Sequence, residues 1–368
     1  MNKKKFLEWK KTIINDAKKY KTPVSCQFEL TPRCNLDCKM CYVHNHDSNK
    51  LKFMELSTEQ WKSIFDDAFN EGMMFATLTG GECLLRNDFK ELYLHLWTKQ
   101  IFIIVISNGI LFTPELIEFF KKYPPDRIQI SLYGSSEEGY LNVTGHRCFN
   151  KVANTIKMLH ESGINYIVNV TASSYIVDDY INTVRFLKDN SYHFNFSEMY
   201  LITNRDNPEK NDHFLQDSDI ERLYTERALL YGELCPVNIL PEIGGLHSEP
   251  HMCGADCSAG NSLCSITWDG YMHPCTNIMI GTGASVLDMG YSEAWKKTVE
   301  IGETVLQPAE CDGCAYLSAC PKCITYRAID LFAGHCNPNI CKMTKRLVAA
   351  GVKKLDTPTQ DDEDEFEH

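Results

Sequence analysis

The chain has 368 residues, a formal charge of −12, and 43 % hydrophobic against 23 % charged residues. That length suits two or three domains, the balance is that of an ordinary globular protein, and no basic patch argues for nucleic acid as a partner. The basic start MNKKKFLEWKK leads into no signal-peptide core and no window approaches the ~20 apolar residues of a membrane span, so a cytoplasmic location is expected, where 17 cysteines point to metal ligation or redox chemistry and away from a disulfide scaffold.

Taken in chain order, the pattern predicts a short amphipathic helix over 7–17 and then a strand over 25–31. A helix over 57–72 follows, with Ser57 as N-cap and Gly72 as its stop. Strands are expected over 75–80, 101–108, 127–132, 165–172 and 193–202. Helices are expected between them, over 86–100, 113–123 (with Pro114 in the first turn), 149–163 and 178–190. Apolar strands alternating with helices imply parallel pairing through right-handed crossovers. Six such steps fall short of the eight that close a barrel, so the expected fold is α/β, an open, partial (β/α)6 barrel of the TIM type.

The domain plan has five parts: an N-terminal helix to residue 22, the partial barrel over 23–203, a linker and bridging helix over 204–249, a loop-rich cysteine domain over 250–345, and an acidic tail over 346–368. The tail ends in DDEDEFEH and reads as a solvated, disordered end. Ten of the cysteines lie between 250 and 341. So little helix or strand signal beside so many cysteines predicts a domain held together by metal.

In a parallel barrel the site forms at the C-terminal ends of the strands. After the first strand come Cys34, Cys38 and Cys41, spaced C-x3-C-x2-C. Three thiolates on one loop suit three corners of a [4Fe–4S] cube and leave the fourth iron open. A zinc site completed by a distant residue, or by His44 or His46, is the competing reading. After the second strand comes Gly80-Gly81-Glu82, where glycines let backbone approach a ligand and a carboxylate can receive an ammonium group. Ser107-Asn108-Gly109 follows the third strand and Ser131 to Gly134 the fourth. Each alone reads as a turn; together they converge on one mouth.

The three-cysteine loop and the GGE run resemble the radical S-adenosylmethionine (SAM) superfamily, over roughly 24–202. The resemblance implies that SAM chelates the open iron of a [4Fe–4S] cluster held by Cys34, Cys38 and Cys41. Gly80, Gly81 and Glu82 would hold its amino group, with Ser107 and Asn108 near its ribose or carboxylate. Met40 and Tyr42 flank the third cysteine, where the family often packs an aromatic ring on the adenine, a place that soft Met can also fill. The cluster would release a 5′-deoxyadenosyl radical that takes hydrogen from an unactivated C–H bond. Where the family often has proline after GGE, this chain has Cys83.

Further on, the spacings Cys257-x12-Gly270-x4-Cys275 and Cys311-x2-Cys314-x5-Cys320-x2-Cys323-x17-Cys341 mean metal sites, with zinc ribbons as the plainer alternative. The run is similar to the SPASM extension of radical SAM enzymes, except that the fourth spacing is x2 in place of x3. That similarity implies two auxiliary [4Fe–4S] clusters. Cys257, Cys275 and Cys323 would bind the first, with Cys253 or Cys264 as fourth ligand; Cys311, Cys314, Cys320 and Cys341 would bind the second. Cys26, Cys83, Cys148, Cys235 and Cys336 stay outside the pattern. Cys83 and Cys148 fall near strand mouths, where either thiol could give a hydrogen atom to a substrate radical.

SPASM enzymes mostly act on peptides and proteins. The expected function is therefore a maturase of a ribosomally made peptide, forming a thioether or other crosslink, with peptide epimerisation as the alternative. The resemblance also implies a reductant such as flavodoxin or ferredoxin, and, with only about 23 residues before the first strand, leader recognition by another surface or a separate protein. An anaerobic sulfatase maturase forming formylglycine fits less well, since Thr276 follows Cys275 where that group places Asp. A non-catalytic electron carrier or zinc scaffold is the reading from a different class.

Overall fold

A computed structural model describes residues 3–43, 51–197, 215, 218–219, 222–223, 251–252, 257–279, 283–320, 328–330 and 335–349. His44, His46, Cys235, Cys253, Cys323, most of the expected linker and the expected acidic tail beyond residue 349 lie outside the described residues. In chain order, the first part runs α1 (Lys3–Tyr20), β1 (Ser25–Glu29), α2 (Thr58–Asn70), β2 (Phe75–Thr79), α3 (Phe89–Trp97), β3 (Phe102–Ser107), α4 (Pro114–Lys122), β4 (Arg127–Leu132), α5 (Glu137–Thr144), α6 (Phe149–Ser162), β5 (Tyr166–Thr171), α7 (Tyr180–Asp189) and β6 (Phe194–Ser197). The second part runs β7 (His251–Met252), β8 (Leu263–Ile266), β9 (Tyr271–His273), β10 (Ala284–Ser285), α8 (Val286–Met289), α9 (Tyr291–Glu303), β11 (Leu306–Gln307), β12 (Ala328–Asp330), β13 (His335–Cys336) and α10 (Pro338–Ala349).

Local chemistry starts these elements where the sequence places them. Ser57 caps α2 in a reciprocal box: its hydroxyl accepts from the Gln60 amide, and its own amide donates to Gln60 Oε1 at 2.9 Å. Thr113 caps α4, with Pro114 in the first turn. Gly145 and Gly163 close α5 and α6 in the left-handed region.

The first compact unit comprises Met1–Arg227 and Ser258–Glu303. Strands β1 to β6 pair in sequence order, all parallel, as six βα steps require. The sheet does not stop at β1. Strand β8 pairs parallel with it, and β9 and β10 continue antiparallel, giving nine strands in the order β10-β9-β8-β1-β2-β3-β4-β5-β6. Among the described residues no strand joins β6 to β10, as in a partial barrel. The stretch 258–303, expected in the cysteine domain, thus builds into the barrel sheet. Strands of two to four residues carry too little periodicity to be read from sequence.

Phe28, Leu78, Val105, Ile128, Ile130, Val168 and Val170 are buried along the strands, under Trp61, Phe65, Leu92, Leu96, Ile156 and Leu159 of the helices. The Phe28 ring meets Phe65 edge-on at 4.8 Å and Trp61 at 6.0 Å. On α1, Phe6 and Trp9 pack on Phe102, and Trp9 also on Phe75, the residues that begin β3 and β2. That helix therefore covers the strand-start end of the sheet and leaves the other end to the site.

The second unit comprises Ala228–Cys257 and Thr304–His368. Its described regular structure consists of the two-residue antiparallel pair β7–β11, the pair β12–β13, and α10. Among the described residues no helix is long and apolar enough to cross a membrane.

Phe65→Ala removes a fully buried ring and is expected to cost about 3–5 kcal/mol, read as a lower urea midpoint at unchanged slope. Phe53→Ala, at a side chain 92 % exposed, is expected to stay within about 0.5 kcal/mol of the parent.

Candidate functional site

Cys34, Cys38 and Cys41 lie on the loop leaving the C-terminal end of β1, and all three are partly exposed and free of disulfides. The loop is held from three sides. Its backbone donates from Asp37 to the Thr144 carbonyl and from Lys39 to the Val143 carbonyl, each at 3.0 Å, at the end of α5. On the second side, Glu55 accepts from Thr31 Oγ1 at 2.6 Å and from the Arg33 guanidinium at 2.6 and 3.0 Å. The buried Arg86 guanidinium donates to the Leu30 and Leu56 carbonyls and forms a bidentate pair with Asp88.

The third side is the glycine loop. Gly81 N–H donates to the Thr31 carbonyl at 2.7 Å and Glu82 N–H to the Arg33 carbonyl at 2.8 Å. A Cβ on Gly81 would stand 2.3 Å from the Arg33 oxygen; one on Gly80 would stand 2.5 Å from the Thr31 oxygen, at a φ of +139°. The sequence suggests glycines that let backbone approach a ligand; here they let one loop's backbone press against the cysteine loop.

Glu82 joins this contact to β3. Its buried carboxylate accepts from Ser107 Oγ at 3.0 Å, from the Asn108 amide at 2.8 Å and from the Leu84 amide at 3.1 Å. Burial pushes its pKa up, and these donors oppose that shift. Asn108 in turn donates from Nδ2 to Asn35 Oδ1 at 2.7 Å and approaches Cys34 Sγ at 3.8 Å. The ends of β1, β2 and β3 are thereby tied through Cys34, Glu82, Ser107 and Asn108.

Burial pushes the Cys34 thiol up to about 12 and the Cys38 thiol well above its ordinary value, with the neighbouring cysteines adding to both shifts. Desolvated thiols of this kind keep their protons until a cation replaces them; ligation deprotonates a coordinating thiol outright. Among the described residues, no three His, Cys, Asp or Glu side chains converge tightly enough to hold a single metal ion.

Met40 is buried and Tyr42 partly exposed. Cys83 is fully buried, and its thiol donates to the Ile106 carbonyl at 3.4 Å. Cys148 sits just before α6 and lies near enough to Cys38 to push that thiol further up. One residue that the sequence reading did not name, and one that it named only within the run Ser131 to Gly134, belong here. Asn35, inside the three-cysteine run, bonds Asn108. Tyr133, at the end of β4, has a phenol pushed well up by burial and by the thiols of Cys38, Cys41 and Cys34. Its position at a strand end was the available signal. Glu55 and Arg86 gave none, because an ion pair joining distant residues has no local pattern.

In the hairpin of the same unit, Gly270 takes a φ of +88° at the turn between β8 and β9, and Cys275 opens a tight turn to Ile278. Cys264, on β8, is fully buried; its sulfur stands 3.3 Å from that of Cys26, and Tyr291 Oη lies 3.0 Å from Cys26 and 3.7 Å from Cys264. In the second unit, Cys311, Cys314, Cys320 and Cys341 line one concavity, together with Glu310 and Cys336. Cys257 is partly exposed in that unit.

Residues 28–187 match the family model described as the Radical SAM superfamily. The sporulation killing factor maturation protein SkfB of Bacillus subtilis is 34 % identical over 44 % of this chain and 39 % of its own length, so the chain spans about two fifths of that relative. The AdoMet-dependent heme synthase of Methanosarcina barkeri is 22 % identical over 80 % of this chain and 89 % of its own length. Among solved structures, Streptococcus suis SuiB bound to precursor peptide SuiA superposes with a TM-score of 0.60 at 15 % identity, covering 93 % of this chain and 79 % of that one.

Gly81→Ala drives a Cβ into the Arg33 carbonyl and is expected to lower stability by about 1–3 kcal/mol. It should also displace the cysteine loop, so that anaerobic reconstitution yields about four fewer irons per chain. An unchanged iron content would show that the loop tolerates the displacement.

Proposed function

Because residues 28–187 are a radical SAM domain, we propose that the chain is a radical SAM enzyme acting on a peptide or protein, and that it forms a thioether or other crosslink in a ribosomally made precursor. The observation that carries this reading is the loop of Cys34, Cys38 and Cys41, locked by Gly80-Gly81 and Glu82 to the mouth of a partial barrel. Cys34, Cys38 and Cys41 would hold a [4Fe–4S] cluster there, which would supply the electron for reductive cleavage of SAM and so the means to take a hydrogen atom from the substrate.

The chain's own part is binding, orientation and exclusion of water. Cys34, Cys38 and Cys41 hold the cluster. An ammonium is a donor, so the methionyl amine is met by acceptors: the Glu82 carboxylate and the carbonyls of its loop. Ser107 and Asn108, fixed by Glu82, would lie near the rest of the cofactor, with Met40 and Tyr42 beside the third cysteine. Each candidate hydrogen donor has its thiol on a backbone carbonyl, Cys83 on that of Ile106 at 3.4 Å and Cys148 on that of His146 at 3.9 Å.

A crosslink is a net loss of two hydrogens from the substrate, so an electron acceptor is required. The C-terminal cysteines fill that role as two auxiliary [4Fe–4S] clusters. Cys311, Cys314, Cys320 and Cys341, which line one concavity, would hold one of them. Cys264 is committed to its buried contacts with Cys26 and Tyr291. A reductant protein of flavodoxin or ferredoxin type supplies the priming electron.

A peptide substrate is favoured by the likeness to a maturation protein and to a protein bound to its precursor peptide. A second reading, a heme-synthase-like reaction, is favoured by a match that spans most of both chains.

After anaerobic reconstitution and reduction, the protein is expected to turn SAM into 5′-deoxyadenosine. Cys34, Cys38 and Cys41 changed together to Ala should abolish this and remove about four irons; continued formation of 5′-deoxyadenosine would overturn the assignment. Mass spectrometry of a coexpressed precursor peptide should show the loss of two hydrogens, whereas an unchanged mass would favour epimerisation. Turnover of a tetrapyrrole substrate with no peptide modified would favour the second reading.

A further inference from the structure

The cysteine loop rests on α5, and α5 is itself held by a carboxylate from the far side of the mouth. The amides of Asp37 and Lys39, which bracket Cys38, donate to the Thr144 and Val143 carbonyls, each at 3.0 Å. A helix leaves its last carbonyls without intrahelical donors, so the loop and the helix end satisfy each other. At the opposite end of α5, Asp179, between β5 and α7, accepts from the Ser135 amide and hydroxyl, each at 2.6 Å. Its carboxylate lies against the first turn of α5, where negative charge is favoured. A Cβ on Gly139 would stand 2.6 Å from Asp179 Oδ2. Glycine weakens a helix, and here it makes room for that carboxylate. The segment ending in Asp179 also reaches the other end of α5. Asn142 Nδ2 donates to the Tyr175 carbonyl at 3.0 Å, while Asn142 Oδ1 accepts from Lys39 Nζ at 3.1 Å.

We propose that Asp179 is a positioning residue for the three-cysteine loop, acting through α5. The inference rests on the reading of that loop as the cluster site. Glu82 and the glycines fix the loop to the ends of β2 and β3. Asp179 fixes it, through the length of one helix, to the segments that follow β4 and β5. Without the Asp179 carboxylate, Ser135 loses its acceptor, α5 shifts, and the two amides around Cys38 shift with it. The three thiols remain, so iron is retained, but Cys38 is misplaced and SAM cleavage slows.

The test uses the full chain, anaerobically reconstituted, as the parent, Asp179→Ala, Asp179→Asn and Ser135→Ala. Hydrogen exchange, resolved by mass spectrometry, reads the Asp37 and Lys39 amides directly. Asp179→Ala should speed their exchange by about three- to tenfold, the factor for one weakened hydrogen bond, while the amides of β2 and β3 keep the parent's rate. It should keep the parent's iron content and KM for SAM, with a lower kcat for 5′-deoxyadenosine. Asp179→Asn, which retains a carbonyl acceptor for Ser135, should lie close to the parent. Faster exchange confined to residues 134–140 would make Asp179 a local support and overturn the proposal. Faster exchange throughout the barrel, the mark of a general loss of stability, would overturn it too, as would faster exchange at Asp37 and Lys39 with kcat unchanged. If Asp179→Ala does not fold, Ser135→Ala, which removes only the hydroxyl donor, carries the same comparison with a smaller effect. If the parent forms no 5′-deoxyadenosine, the cluster reading fails, and exchange at Asp37 and Lys39 still decides the link through α5.

Discussion

The approach of Gly81 to the carbonyl of Arg33 is the contact on which the candidate site depends. Two loops leaving neighbouring parallel strands normally keep the distance their side chains impose. Here neither Gly80 nor Gly81 has a side chain, and the loop after β2 closes to hydrogen-bond distance on the loop after β1. Everything else in the mouth is arranged around that contact. Arg33 and Thr31 are held from behind by Glu55, and Glu55 is itself near the buried Arg86 guanidinium.

Glu82 turns the contact from a steric fit into an electrostatic one. A buried carboxylate is costly unless donors surround it, and three elements supply them: its own turn, the Ser107 hydroxyl and the Asn108 amide. The same residue that completes the glycine loop therefore fixes the end of β3, and Asn108 carries the connection on to Cys34. Removing any one of these groups leaves a buried polar partner unsatisfied, which costs about 1–3 kcal/mol.

The βα alternation was legible because the strands are apolar and the helices between them periodic, with Ser57 and Thr113 as caps and Gly163 as a stop. So were the three-cysteine loop and the position of Glu82 after β2, since both lie at strand ends. What the sequence concealed was of two kinds. Strands β8, β9 and β10 are too short to show alternation, and their glycines and cysteines look like loop, so their membership of the barrel sheet was hidden. Pairings between distant residues were the other kind. The contact of Cys26 with Cys264 and the hold of Glu55 on Arg33 depend on which strands become neighbours. The reason for the glycines also differed: Gly81 meets protein backbone where a ligand was expected.

The pairing of β1 with β8 has a consequence for the order of folding. Residues 26 and 264 are register partners on adjacent strands. During synthesis, therefore, strands β1 to β6 can assemble while one long edge of the sheet still lacks its neighbour. That edge stays open until the chain beyond residue 266 has emerged, and unpaired edges invite association with other chains. Contacts so distant in sequence also form late and slowly. A nascent chain of this protein thus passes through a period in which its barrel is folded on one flank and adhesive on the other, and β8 ends that period by occupying the flank.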